Sequence, residues 1–126
     1  MKKQAIRTDK APTPSGPFNQ AIRIGNMVFT SGQAGRNRET GKMGDIRDQA
    51  RRCIGNIAGV LEAAGASLAD VVKVTVFLKH AEDWKAFNEE YLKLMPEPLP
   101  ARSSAIVTLK SDDMLCEMET IAVIQD

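Results

Sequence analysis

The sequence is poor in the side chains that build metal centres and nucleophile–base pairs. It has one histidine, His80, and two cysteines, Cys53 and Cys116, in no CxxC or other zinc-ligand spacing. A metal site is therefore not expected, and His80 reads as a loop or surface residue. Ser31, Ser103 and Ser104 have no histidine ready to act as base, so their hydroxyls read as hydrogen-bonding groups. Excess charge is missing too. Lys plus Arg number 17 and Asp plus Glu 16, a net charge of +1. That balance argues against a strong electrostatic footprint for nucleic acid or membrane, and neither partner is expected. No apolar run approaches the length of a membrane span. The charged N-terminal stretch lacks the apolar core of a signal peptide, so a cytoplasmic location is expected. Both cysteines fall in apolar segments and read as buried thiols of a reducing compartment, although a disulfide between them stays open. Gly32-Gln33-Ala34-Gly35 lacks the spacing and lysine of a phosphate loop and reads as a turn ending a strand. Its glycine would let a ligand approach backbone N–H groups.

What is present suits one compact domain spanning residues 1–126, with 43% hydrophobic residues. Residues 8–20 hold three prolines and a glycine and read as a loop. Ala21–Ile24 and Met27–Thr30 flank Gly25-Asn26, a hairpin signature. Residues 34–45, with three glycines, read as a loop with room for one short strand. Ile46, Ala50, Cys53, Ile54, Ile57, Leu61 and Ala64 recur at helical spacing, with Asp45 placed to cap the start and Gly65 to end the helix. Residues 71–79 form a strand apolar on both faces, with Val72, Val74, Val76 and Leu78 on one and Val71 and Phe77 on the other. Residues 82–95 form a second helix, whose Trp84, Phe87 and Tyr91 read as core. Strands over 101–108 and 114–124 complete an α+β fold: a mixed sheet with two helices packed on one face. The strands over 71–79 and 114–124 look apolar on both sides. The second sheet face therefore needs a cover that the chain does not supply, and an oligomer is expected.

The chemistry concentrates at the end of the chain. Arg102 shares a strand face with Ser104 and Ile106, while Glu117 and Glu119 share one with Leu115, Ile121 and Val123. An arginine grips a carboxylate with two prongs, and a nearby glutamate can hold water or take a proton. The residues alone fit a partly buried structural ion pair first and an anion site second.

An ordered series of segments adds to this: Gly16-Pro17-Phe18-Asn19-Gln20-Ala21, Gly25-Asn26, Thr30-Ser31-Gly32-Gln33, Thr40-Gly41, Ala64-Gly65, the strand Val72–Phe77, Asn88 with Tyr91, Pro100-Ala101-Arg102-Ser103 and Glu117-Met118-Glu119. The series resembles the reactive intermediate deaminase (RidA/YjgF) family from about Ala11 to Ala122. The resemblance implies a chorismate-mutase-like fold, a homotrimer with ligand clefts between subunits, and no cofactor. The implied activity is hydrolysis of enamines and imines such as 2-aminoacrylate and 2-iminopropanoate to a 2-keto acid and ammonia. It gives Arg102 the substrate carboxylate and Glu119 the water, lines the cleft with Ser31 and Gly32, and leaves Asn88 a structural part. Phe18 stands where archetypal members carry tyrosine, and Ser104 where many carry cysteine; both are substrate-binding candidates. Two alternatives follow from the Phe18 departure: a non-catalytic trimer that binds small carboxylates, and a pathway-specific deaminase of a larger enamine.

Overall fold

The computed structural model describes residues 1–125. Seven strands and two helices follow in the order β1 (Gln4–Ile6), β2 (Ala21–Ile24), β3 (Met27–Thr30), β4 (Gln33–Ala34), α1 (Ile46–Ala63), β5 (Val71–Leu78), α2 (Trp84–Leu94), β6 (Ala101–Ile106) and β7 (Cys116–Val123). They form one mixed sheet in the order β1-β2-β3-β7-β5-β6, with β4 also paired to β7. Among the described residues only β5 and β6 run parallel. The fold is the expected α+β arrangement. The expected hairpin, both helices and the three later strands are present, with strand ends shorter by one or two residues. Strand β1 and the exact placement of β4 were not foreseen: each is too short to show periodicity.

Local chemistry sets the ends of α1. Asp45 accepts from the Asp48 N–H while the Asp48 carboxylate accepts from the Asp45 N–H, a reciprocal cap at 2.9 and 3.3 Å. At the other end Gly65 takes φ +84°, and the N–H groups of Gly65 and Ala66 close onto the carbonyls of Glu62 and Leu61. Ile54, Ile57, Val60 and Leu61 are fully buried against the sheet, each contributing about 1.5–3 kcal/mol relative to exposure. Phe87 joins them from α2.

One correction concerns β5. Its pairing with β7 slips between Val71 and Lys73. Val72 is the extra residue of this bulge and stands exposed, while Val71 turns into the core beside Val74, Val76 and Leu78. The even-numbered face expected for Val72 and the opposite face expected for Val71 are thus exchanged at the strand start. A second correction concerns Trp84, expected in the core but 48% exposed. Cys53 and Cys116 are free, buried thiols. His80 is an exposed residue between β5 and α2.

The face away from the helices carries Ile22, Ile24, Met27, Phe29, Phe77, Ile121 and Val123, set by the registers of β2, β3, β5 and β7. Phe29 and Met27 are among the exposed large apolar residues. No helix among the described residues is long and apolar enough to cross a membrane.

One buried carboxylate ties the helices together. Glu90 of α2 is 2% exposed and meets Arg47 at 2.8 Å and Arg51 at 3.0 Å from α1, with Lys93 at 3.1 Å. These hydrogen bonds, led by Arg51, hold its pKa down at about 2 from an ordinary 4.5. A depressed acid stabilises the fold above its unfolded pKa and loses that contribution as pH falls toward the folded value. Glu90→Gln should therefore destabilise the protein at neutral pH, with the gap to wild type closing between about pH 5 and pH 2. Urea unfolding across that range checks it; a gap that does not change with pH would show that the charge plays no part.

Candidate functional site

Arg102 lies on the helix side of the sheet. Parallel pairing sets it beside Val74, and the same row continues through Thr120 of β7. Three rings of α2 and its start close over the guanidinium: Tyr91 at 4.7 Å, Trp84 at 5.2 Å and Phe87 at 5.3 Å. Spacing of three and four residues puts all three rings on the helix face toward β6. Nε donates to Ser104 Oγ at 3.0 Å, which fixes the plane of the group. Burial pulls the Arg102 pKa below its ordinary value, with Tyr91 opposing, and burial raises Tyr91. The structural ion pair expected first does not form: among the described residues Arg102 has no carboxylate within salt-bridge distance.

Three buried side-chain atoms among the described residues lack a hydrogen-bond partner: Arg102 Nη2, Asn88 Oδ1 and Tyr91 Oη. All three residues line one cleft of about 510 Å³, completed by Trp84, Leu92, Leu99, Pro100 and Ser104. A buried polar atom without a partner costs about 1–3 kcal/mol. Three such atoms in residues that line one cleft suit it to a polar guest.

Glu119 is elsewhere. Its partner in β5 is Thr75, which pairs in turn with Ser103, so Glu119 faces the opposite side of the sheet from Arg102 and is exposed. One chain cannot bring these two together. The glutamate that sits in a cleft is Glu117. It lines a second cavity, of about 540 Å³, with Phe18, Gly32, Gln33, Lys110 and residues 12–15. Gly32 is what admits it: a Cβ there would come within 2.1 Å of Glu117 Oε1. Burial raises the Glu117 pKa, and the negative charge of Glu119 adds to this, with Lys110 opposing.

The loop carrying Phe18 is held by the side chain of Gln20. Its amide donates to the carbonyls of Thr8 and Pro12 at 3.0 and 2.9 Å, and its oxygen accepts from the Thr8 N–H at 2.7 Å. Ser31 donates its hydroxyl to the Asn19 carbonyl at 2.6 Å, joining the same loop to the end of β3. Phe18 stays 42% exposed in this cavity.

The sequence candidates thus fall into two groups on one chain, Arg102 and Ser104 in one cleft and Phe18 and Gly32 in the other, with Ser31 behind the second. The sequence reads Asn88 only as structural and sets Glu117 beside Glu119 without choosing it; Tyr91 is core as expected but also lines the cleft, whereas Trp84 is half exposed at its rim. Parity along β7 puts Glu117 and Glu119 on one face but cannot choose between them, because the choice depends on β4 crossing opposite Glu117. Cys53 is no nucleophile: the neighbouring Cys116 thiol and complete burial push its pKa well up, and its Sγ donates to the Gln33 carbonyl at 2.9 Å. Among the described residues no group of three or more His, Cys, Asp or Glu is placed to hold a metal ion.

The family model described as Endoribonuclease L-PSP matches residues 8–124. The chain belongs to the RidA/YjgF family. It is 49% identical over 124 residues to a RutC family protein of Pyrococcus abyssi, covering 97% of this chain and 98% of the relative. It is 41% identical to a 2-iminobutanoate/2-iminopropanoate deaminase of Dermatophagoides farinae, covering 98% of both. The crystal structure of RidA from an Antarctic Psychrobacter superimposes with a TM-score of 0.92 at 39% identity, over 96% of this chain and 99% of that one. Escherichia coli TdcF with bound serine gives 0.92 at 36% identity, over 97% and 99%.

A small carboxylate that satisfies Arg102 should stabilise this RidA/YjgF chain. Titrating 2-oxobutanoate into wild type should raise the melting temperature, by the equivalent of about 2.7 kcal/mol at a hundred times Kd. Arg102→Lys keeps the charge but loses the planar fork. Its melting temperature should stay flat across the same titration.

Proposed function

We propose that this protein hydrolyses reactive 2-imino and 2-enamino acids, of the 2-iminopropanoate type, to 2-keto acids and ammonia, in a site completed by two copies of the chain in a homotrimer. The observation that carries the reading is the convergence of Arg102 Nη2, Asn88 Oδ1 and Tyr91 Oη, all buried and unpartnered, on one cleft. Deaminase-named relatives support the reaction class, and the bound serine of TdcF supports a small amino-acid-like ligand.

In this reading Arg102 grips the substrate carboxylate and the aromatic rings hold the guanidinium in place. Asn88 Oδ1 accepts from the substrate N–H. The cleft opens at the free edge of β6, where Trp84, Leu92, Leu99 and Ile106 are exposed. A neighbouring copy seated there would present its own Phe18–Gly32–Glu117 cleft. Its Glu117 carboxylate takes a proton from water as the oxygen adds to the carbon of the protonated imine, giving the neutral carbinolamine. It then returns that proton to nitrogen; as the C–N bond breaks, the hydroxyl proton passes to the carboxylate and on to the released ammonia, leaving the keto acid and ammonium. A raised pKa brings such a carboxylate closer to neutrality, where proton acceptance and return are both effective. The free imine is already electrophilic, so positioning and charge suffice and no cofactor takes part. Glu119, the residue the family resemblance suggested, faces the same side of the sheet two residues along; a supporting charge that raises Glu117 is the role proposed for it.

The second reading, a deaminase of a larger enamine, is favoured by the apolar rim of the Arg102 cleft and by the bare ring of Phe18.

Two measurements test the proposal. Glu117→Gln should lower kcat by about 10²–10⁴-fold and raise the melting temperature at neutral pH. The sign follows from linkage: an acid whose folded pKa is raised penalises the fold once ionised, so the gain should vanish below the ordinary value near 4.5. Mixing unfolded Arg102→Ala and Glu117→Gln chains and refolding them together should restore activity neither has alone. Random assembly leaves about one site in four with both groups intact if they come from different chains. Light scattering on the refolded mixture should give three times 13.8 kDa. Assembly to that mass with no recovered turnover would place both groups in one chain's site and overturn the shared-site mechanism.

A further inference from the structure

The chain is nearly neutral overall, yet one cleft gathers an excess of cations. It lies between the loop after β4 and the exposed face of α1, encloses about 360 Å³, and is lined by five basic residues against one acid, Glu39. Two of the five are already matched: Lys10 pairs with Glu62 at 2.6 Å, and Arg51 with Asp48 and Glu90. Arg36, Arg38 and Arg52 are not. Among the described residues none of the three meets a carboxylate within salt-bridge distance. Each is instead anchored by backbone carbonyls, Arg36 to Gly41 at 3.0 Å, Arg38 to Lys10 at 2.8 Å and Arg52 to Gly35 at 3.0 Å. Carbonyls orient a guanidinium without neutralising it.

We propose that this cleft binds a small phosphorylated compound through Arg36, Arg38 and Arg52. Three guanidinium groups with unspent charge suit an anion of two or more charges, and a tetrahedral phosphoryl group offers several acceptors to their planar forks. A monocarboxylate offers one charge and two oxygens. The frame is ordered before any ligand arrives. Asn37 Oδ1 accepts from the Glu39 and Thr40 N–H groups, and the Asn37 N–H donates to Lys42. Asn56 of α1 clamps the carbonyls of Ala34 and Arg36 at 3.0 and 3.1 Å. Pre-set donors reduce the ordering cost of binding. The volume falls in the range of small-ligand sites. The floor is Gly55, where an added Cβ would meet nothing within 4 Å. This cleft is separate from the one around Arg102 and shares with the Phe18–Gly32 cavity only Arg36.

Calorimetry of the full-length protein with inorganic pyrophosphate tests the assignment. Binding should saturate at one per chain with Kd below about 1 mM, while acetate should bind at least about tenfold more weakly. Gly55→Glu puts a carboxylate on the floor and gains helix propensity, so it should fold and lower pyrophosphate affinity by about tenfold or more. Gly55→Ala should leave affinity unchanged, and Arg38→Gln should lower it. Failure of pyrophosphate to saturate, or equal affinity in Gly55→Glu and wild type, would overturn the proposal. So would tight binding of a single-stranded oligonucleotide that pyrophosphate cannot displace, which would make the surface a nucleic-acid contact instead.

Discussion

Strand β7 imposes the constraint on which the site depends. It pairs with β3, β4 and β5, and its side chains alternate strictly between the two sheet faces. Cys116, Met118, Thr120 and Ala122 enter the core beneath the helices; Glu117, Glu119, Ile121 and Val123 face away. Arg102, two strands over, belongs to the helix face through its pairing with Val74. No change of rotamer moves a side chain through a hydrogen-bonded sheet. The arginine and either glutamate can therefore serve one ligand only if different copies supply them. The same alternation spreads apolar residues over the face without helices, which is where copies of the chain would bury them. On the proposed reading, the geometry that separates the two groups within a chain also provides the surface that reunites them between chains.

The loops that shape both cavities are fixed by amides. Gln20, Gln49 and Asn56 are buried, and each clamps backbone groups from a segment without regular structure. Gln49 of α1 reaches the carbonyls of Gly44 and Asp113 and accepts from the Leu115 N–H, which positions the loop carrying Lys110 and Met114. A backbone carbonyl near the core needs a partner, and a side-chain amide provides donor and acceptor without adding net charge. Arg36, Arg38 and Lys110 add loop contacts of their own, to Gly41, Lys10 and Ser15.

Much of the fold was legible in the residues, for reasons that can be named. Helix α1 has a long apolar period with both caps spelled out by Asp45 and Gly65, and Gly25-Asn26 sits between two short β-prone runs. The failures share a cause. Val71 and Val72 look alike in sequence, and only the slip against β7 decides which is buried. Trp84 follows the helical stripe of Phe87 and Tyr91, but its ring ends at the sheet edge, where β6 has no further strand to cover it. Glu117 and Glu119 have equal parity, and the two-residue β4 that sets Glu117 along the cavity is too short to predict. Arg102 stood out in the sequence as a candidate binding group; its surroundings did not, because they come from a helix that precedes it by a proline-rich turn.

The Arg102 cleft also shows how a site can be kept open at a cost to the fold. Its guanidinium is partly removed from water and given rings and a hydroxyl, but no counter-charge among the described residues. A carboxylate partner from the same chain would relieve the burial penalty and would occupy the position a substrate needs. Glu90, on the same helix as the aromatic rings, shows the opposite choice: three cations surround it and no ligand could displace them. Facing one way, α2 spends its charges on holding itself to α1. Facing the other, it offers only polarizable rings and two unpartnered polar atoms, Asn88 Oδ1 and Tyr91 Oη. On the proposed reading, the difference between the two faces separates stability from function within eleven residues. It follows that binding of a carboxylate at Arg102 would recover free energy that folding leaves unspent, without asking the helix to move.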